Sequence, residues 1–399
     1  METVTPEKVG FCSARLTRIR PVMQGYVDRG ELPGLITLIA RQGKVVHCEK
    51  FGSMDIEAEK PMQADTIFRI YSMTKPITTV AAMMLYEEGH FLLSDPVAKF
   101  IPAFRDVKVF GNSTGGATDL IDLEREMTVR DLMTHTSGLT YAFHGDSPVD
   151  AMYTQADLFR RDRTLRDNVE KLVKIPLVHQ PGSAWRYSVA TDVLGYLIEV
   201  IAETRLEVFL QERIFTPLQM TDTDFYVPEE KIGRFAALYK LAEDGGLALL
   251  DPPATGEYAT PPLNISGGGG LVSTTADYLR FAQMVLNGGQ LDGTRLLGRK
   301  TVALMTINHL PEQVLPMTLL NKTFHGYGFG LGFSVITDIA ATQDFESVGN
   351  YGWGGAAGTY FWNDPEEALI GLLMTQFMPG MHYPLGAQLK VLAYQALVD

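Results

Sequence analysis

The chain has 399 residues, 46% of them hydrophobic and 20% charged, which is enough apolar material for a large core and excludes a disordered protein. Its 47 acidic residues outnumber 34 basic ones, and the net charge of −13 argues against nucleic acid or an anionic membrane as a partner. Two cysteines make no disulfide framework, and the eight histidines show no metal-ligand spacing, so neither a metal nor another cofactor is expected.

The opening stretch Met1-Glu2-Thr3-Val4-Thr5-Pro6 contains no apolar leader, and no later run reaches the length of a bilayer span, which points to a cytoplasmic address. Over residues 6–29, Leu16, Ile19, Val22 and Met23 recur on one face and predict an amphipathic helix, with Cys12 as a packing residue. Residues 35–40 and 45–51 are apolar β runs around Arg41-Gln42-Gly43-Lys44, a hairpin signal, and Cys48 falls in the second as another packing residue. A third strand at 66–70 leads through Ser72 into a helix over 73–88 that Gly89 ends. This order reads as an antiparallel α+β opening, not a doubly wound βαβ sheet.

Helix signals dominate from 92 to 220. Ser94-Asp95-Pro96 and Thr128-Val129-Arg130-Asp131 look like helix starts, and 165–173 and 191–203 continue the pattern. Residues 111–116 read as loop. The Pro- and Gly-rich stretch 251–270 looks like a boundary loop ahead of a helix over 276–286. Strand-like runs follow at 328–336, 356–362 and 368–376, then a closing helix at 385–397. The expected organisation is an α/β domain of residues 1–91 and 221–399 around an antiparallel sheet, with a mostly helical domain at 92–220.

Ser72 is the candidate nucleophile. At a helix N-terminus, unpaired N–H groups and the positive dipole end favour a developing oxyanion, and Lys75 lies on the same face three residues on. Ser-x-x-Lys alone is a weak signal, since a capping serine followed by a solvated lysine has the same letters. Two later stretches add to it. Trp185-Arg186-Tyr187-Ser188 follows a turn and leaves the Tyr187 phenol at a loop edge, though alone it reads as a core aromatic. The glycines of Asn350-Tyr351-Gly352-Trp353-Gly354-Gly355-Ala356-Ala357-Gly358 let backbone approach a ligand. A competing serine, Ser113 in Gly111-Asn112-Ser113-Thr114-Gly115, lacks the helix that a nucleophile elbow needs after it. His135 and Ser137 directly follow a helix and read as its cap. The run Ser266-Gly267-Gly268-Gly269-Gly270 reads as tight turns, because no Gly-Lys-Ser/Thr follows it.

In these stretches the sequence resembles the serine β-lactamase and penicillin-recognising superfamily, especially class C β-lactamases and family VIII carboxylesterases, over nearly the whole chain. Ser72-Met73-Thr74-Lys75 matches the first family motif, Tyr187-Ser188-Val189 the Tyr-x-Asn motif and Trp353-Gly354-Gly355 the Lys-Thr-Gly motif. His135-Thr136-Ser137-Gly138-Leu139 and the Ser266 glycine run are also similar. The resemblance implies a β-lactamase/DD-peptidase-like α+β fold, an antiparallel sheet flanked by helices with a helical insertion. It implies Ser72 as nucleophile, Lys75 and Tyr187 sharing the proton transfers in an order the letters leave open, and the backbone N–H groups of Ser72 and Ala356 as oxyanion hole.

The same resemblance puts Val189, Trp353, Gly354 and Gly355 at substrate-binding positions. Val189 replaces an amide and Trp353 a lysine, and exchanging a cation for an indole favours a neutral ester over an anionic lactam. The implied activity is hydrolysis of neutral short- to medium-chain acyl esters through an acyl-serine. β-Lactamase, D-amino-acid peptidase or amidase, acyltransferase and a catalytically inert binding protein are the alternatives. The implied partner is a small-molecule ester, and the oligomeric state is open.

Overall fold

Leu35-Ile36-Thr37-Leu38-Ile39-Ala40 is apolar at almost every position because its strand, Gly34–Arg41, is covered on both faces. Leu35 and Ile39 point to one core, and Ile36, Leu38 and Ala40 to the other. The computed structural model describes residues 2–111, 119–243 and 245–399. In it, this strand lies in an eight-stranded sheet of order Tyr327–Phe329, Ser334–Ile336, Tyr351–Gly354, Tyr360–Asp364, Leu369–Thr375, Gly34–Arg41, Lys44–Asp55, Lys60–Pro61. All neighbours are antiparallel, with Leu35 opposite Thr375 and Arg41 opposite Leu369. The expected α+β class with an antiparallel sheet holds.

One face of the sheet packs on the helices Ile19–Asp28 and Leu385–Tyr394 through Ile19, Met23, Leu385 and Leu389. The other carries the larger core, shared with the helices Thr74–Glu87, Ala190–Ala202 and Thr275–Leu286. Each Leu or Ile wholly withdrawn from water there contributes about 1.5–3 kcal/mol. The indole of Trp362 lies over Gly371, its cross-strand partner, so a side chain at 371 would collide with the ring.

Several elements differ from their expected form. The helix expected over 6–29 is broken into a 3₁₀ turn, Pro6–Val9, a single turn, Ser13–Leu16, and the helix Ile19–Asp28. Gly10 causes the first break: its φ is 74°, and the Val9 carbonyl turns aside to accept Arg41 Nη1 at 2.9 Å. The start expected at Ser94 gives only a 3₁₀ turn, Val97–Lys99. The run 328–336 is a hairpin of two strands, Tyr327–Phe329 and Ser334–Ile336, and the strand expected at 356–362 is Tyr360–Asp364. The glycine-rich Tyr351–Gly354, expected to precede a strand, is itself one. Cys48 is exposed and does not pack in the core. Ser113 lies outside the described residues. Among the described residues no helix is long and apolar enough to cross a membrane.

Candidate active site

The short strand Ile67–Arg69 pairs with Val272–Thr274 and ends in a sharp turn, with Tyr71 at φ 42°, before one 3₁₀ turn, Tyr71–Met73, enters the helix Thr74–Glu87. The turn is held from several sides. Gln376 binds both backbone groups of Arg69 at 3.0 Å, Tyr278 OH donates to Met73 O at 2.9 Å, and Leu271 N donates to Thr74 Oγ1 at 3.2 Å. The fully buried Arg69 guanidinium binds Asp251 at 2.5 Å and stacks 4.0 Å from the Phe235 ring centre. Ser72, half-buried, is thereby presented at the head of a rigid helix.

Lys75 is 1% exposed, so its ammonium must find protein partners, and it uses three. Nζ donates to Ser72 Oγ at 3.3 Å, Tyr141 OH at 3.0 Å and the Gly268 carbonyl at 2.7 Å. Behind Gly268 lies the wholly buried Asp192, whose Oδ1 accepts from Gly268 N at 3.1 Å and Ser266 Oγ at 2.5 Å. Burial pushes the Asp192 carboxyl above the usual carboxylate range, and the Lys75 charge opposes that push. The Tyr141 phenol is raised well above its ordinary value, first by burial and then by Asp192. The glycine run expected as mere turns thus supplies the carbonyl that anchors Lys75. A Cβ on Gly268 would press on Tyr141 OH at 3.2 Å and overlap the Asp192 carboxylate.

Tyr187 stands across from this group. Its ring face lies 4.5 Å from Lys75 Nζ and its centre 5.3 Å from that of Tyr141. Trp353 Nε1 donates to Tyr187 OH at 3.2 Å. One arginine braces the two tyrosine-bearing segments: Arg186 Nε donates to Thr140 Oγ1 at 2.8 Å, and Nη2 to the buried Asp150 at 2.9 Å. Beneath Tyr187, His135 is buried with φ 56° and Nδ1 3.2 Å from Ser188 Oγ. Burial first, and the Lys75 charge second, hold this imidazole well below its ordinary value, so it is neutral. It supports the Tyr187 ring, 4.8 Å away, in place of the simple helix cap expected. Ser137 Oγ accepts from Leu139 N at 3.3 Å, a local turn contact.

The glycine-rich stretch sets Ala356 on the wall of the cleft that Ser72 also lines. A Cβ on Gly355 would stand 2.5 Å from the Ile70 carbonyl, so only glycine lets this turn approach the chain two residues before Ser72. Ala356 N–H has no hydrogen-bond acceptor among the described residues, while its carbonyl accepts from Gly380 N at 2.8 Å. Ser72, Tyr141, Tyr187, Val189 and Ala356 all line one cleft of about 360 Å³. Trp353, Gly354 and Gly355 stand beside it without lining it. Tyr141, Asp192 and Gly268 are the members that sequence reading misses. Among the described residues, no group of three or more His, Cys, Asp or Glu side chains is arranged to hold a metal.

Comparison with known proteins agrees with this geometry. Residues 19–395 match the family model described as Beta-lactamase. The chain is 38% identical to Protein Rv1367c of Mycobacterium tuberculosis, over 89% of this chain and 88% of that one. It is 30% identical to Esterase EstB of Burkholderia gladioli, over 94% of each. The solved structure of EstCE1, described as a hydrolase with promiscuous acyltransferase activity, superposes with a TM-score of 0.80 at 27% identity, covering 96% of this chain and 99% of that one. A family match over nearly the whole length, the β-lactamase/transpeptidase-like fold and relatives of this kind agree: the chain belongs to the Beta-lactamase family and is a serine hydrolase.

Proposed function

We propose that the protein is a carboxylesterase that hydrolyses neutral short- to medium-chain acyl esters through an acyl-Ser72 intermediate. The observation that carries this reading is the buried Lys75 ammonium bonded to Ser72 Oγ on the wall of a cleft. For the attack the Lys75–Tyr187 pair must first give up one proton, leaving a neutral amine or a phenolate, and Ser72 Oγ then attacks the ester carbonyl as its own proton passes to that pair. The carbonyl oxygen becomes an oxyanion between the N–H groups of Ser72 and Ala356, where fixed donors act without reorganising. Tyr187 and Lys75 return the proton to the departing alkoxide, so the alcohol leaves neutral. A water, deprotonated by the same pair, then attacks the acyl-serine, releasing the acid and restoring Ser72.

Trp353 and Val189 support a neutral substrate. An indole committed to the Tyr187 hydroxyl offers no cation to a lactam carboxylate, and Val189 offers no amide to its side chain. The name of Esterase EstB fits an ester-cleaving relative. Acyl transfer to an alcohol is the second reading, favoured by the promiscuous acyltransferase activity for which EstCE1 is described. The test is kcat/KM for p-nitrophenyl esters of graded chain length beside a chromogenic cephalosporin, with product analysis in added alcohol. Butyrate hydrolysed far better than the cephalosporin supports the reading. A preference for the cephalosporin sinks the esterase assignment while sparing the Ser72-Lys75-Tyr187 chemistry.

A further inference from the structure

The cleft beside Ser72 contains a cation that the ester chemistry above does not use. Arg161 lines it, two aromatic contacts from the nucleophile turn: Tyr71 meets Tyr258 edge-on at 6.3 Å, and the Arg161 guanidinium stacks 4.4 Å from the centre of Tyr258. The guanidinium is fixed in place. Nη2 donates to the carbonyls of Thr260 at 3.2 Å and Phe225 at 3.4 Å, and the Arg161 carbonyl accepts from Leu263 N at 2.8 Å. Its Nε and Nη1 have no protein acceptor among the described residues.

Nor does Arg161 form an ion pair with any described carboxylate, although its neighbour Arg160 is held by Asp157 and Asp162 at 2.9 Å. In a chain with 47 acidic residues, a half-buried, stacked guanidinium with spare donors is unusual. Tyr258 does not compensate its charge: burial pushes that phenol up to about 12, and its hydroxyl donates to Gly269 O at 3.2 Å. Two described carboxylates share the lining: Asp192, buried and already bonded to Gly268 N and Ser266 Oγ, and Glu257, exposed and making no ion pair with Arg161.

We infer that Arg161 anchors an anionic group at the far end of the substrate. The cleft takes an ester that is uncharged where the acyl bond is cut and carries a carboxylate at its remote end. This rests on the ester-hydrolase reading of Ser72 and narrows it. A fixed planar fork with two free donors suits a carboxylate, and a stacked guanidinium keeps its geometry whether or not the site is filled. Glu257 is the internal competitor, so its removal should strengthen the anchor.

The experiment compares kcat/KM for mono-p-nitrophenyl adipate, pimelate and suberate with the p-nitrophenyl alkanoates of equal length. A second arm moves the carboxylate to the alcohol half, as ω-carboxyalkyl acetates beside alkyl acetates, to tell which half reaches Arg161. In one arm the wild type is expected to turn over the charged ester at least as well as the uncharged one at some length. Arg161→Gln should lower that charged-to-uncharged ratio by about tenfold or more, the scale of losing a hydrogen bond to a charged group. Arg161→Lys should lower it less, Glu257→Gln should raise it, and added salt should lower it in the wild type. A wild-type ratio below about one-tenth at every length in both arms overturns the inference. So does a ratio indifferent to salt, to Glu257→Gln and to Arg161→Gln. If only uncharged esters are cleaved, the inference fails and the esterase reading stands; if no ester is cleaved, both fail.

Discussion

Lys75 commits its three donors to Ser72, Tyr141 and Gly268, so its partners test the proposed proton path separately. Ser72→Ala removes a hydroxyl and little volume; ester turnover should fall to background with an unchanged circular dichroism spectrum. Ser113→Ala should keep its activity, and an exchange of these two outcomes would make Ser113 the nucleophile. Lys75→Ala and Tyr187→Phe should each lower kcat/KM by about 10² to 10⁴. The double variant should be little worse than the poorer single one, because groups acting as a unit lose most of their effect with the first deletion. Independent, multiplying losses would refute a shared path. Tyr141→Phe takes an acceptor from a buried ammonium and should cost roughly 10- to 100-fold in kcat/KM. Ser72 and Lys75 are legible in the sequence because one helical turn joins them, and Tyr187 because its neighbours form a motif. Tyr141 is one of 16 tyrosines, and it meets Lys75 across 66 residues, so nothing in Leu139-Thr140-Tyr141 announces it.

The turn around Gly355 is an element whose job is close approach. Gly355→Ala would drive a methyl against the Ile70 carbonyl, backbone that moves only if the Ser72 turn moves with it. It should cost about 1–3 kcal/mol of stability and lower kcat more than it changes KM, measured by urea unfolding and ester kinetics. An active, equally stable variant would show that the turn can withdraw freely. Elements set by local chemistry are open to reading from the chain alone. The hairpin at Gln42-Gly43 has both residues at positive φ, and Gly89, at φ 82°, ends the helix Thr74–Glu87. Elements set by distant partners are not. The break at Gly10 depends on Arg41, which reaches the Val9 carbonyl from another strand. Tyr351–Gly354 is a strand because Trp353 and Gly354 pair with Phe361 and Tyr360, which outweighs the low strand propensity of its glycines.

At the scale of the whole fold, burial depresses five histidines among the described residues, His47, His135, His144, His179 and His309. Each takes up its proton at lower pH when folded than in the unfolded chain, where uptake begins below about 6.5. Their contribution to stability is therefore complete above that pH and is lost as pH falls toward the folded values, about 4 for His47. Raised carboxylates such as Asp192 pull the other way, so a single-site comparison is the clean test. His47 Nε2 lies 2.7 Å from Thr37 Oγ1, a contact that glutamine can keep. Between pH 6.5 and 4, the urea-unfolding free energy of His47→Gln should fall with a slope shallower than wild type by up to about 1.4 kcal/mol per pH unit. Parallel slopes would mean that His47 is charged in the folded state. The sheet order has a consequence for the protein as it is made. The strand Leu369–Thr375 inserts between Gly34–Arg41 and Tyr360–Asp364, yet a ribosome adding 5–20 residues per second reaches it only after roughly 20–80 s. Until then the apolar strand Gly34–Arg41 waits with an open edge, a template for pairing with other chains. A nascent chain stalled before residue 369 is thus an aggregation nucleus and not a weaker enzyme. Demand for a chaperone should peak in the last seconds of synthesis, and a 1–368 fragment should stay insoluble until the 369–399 peptide is supplied.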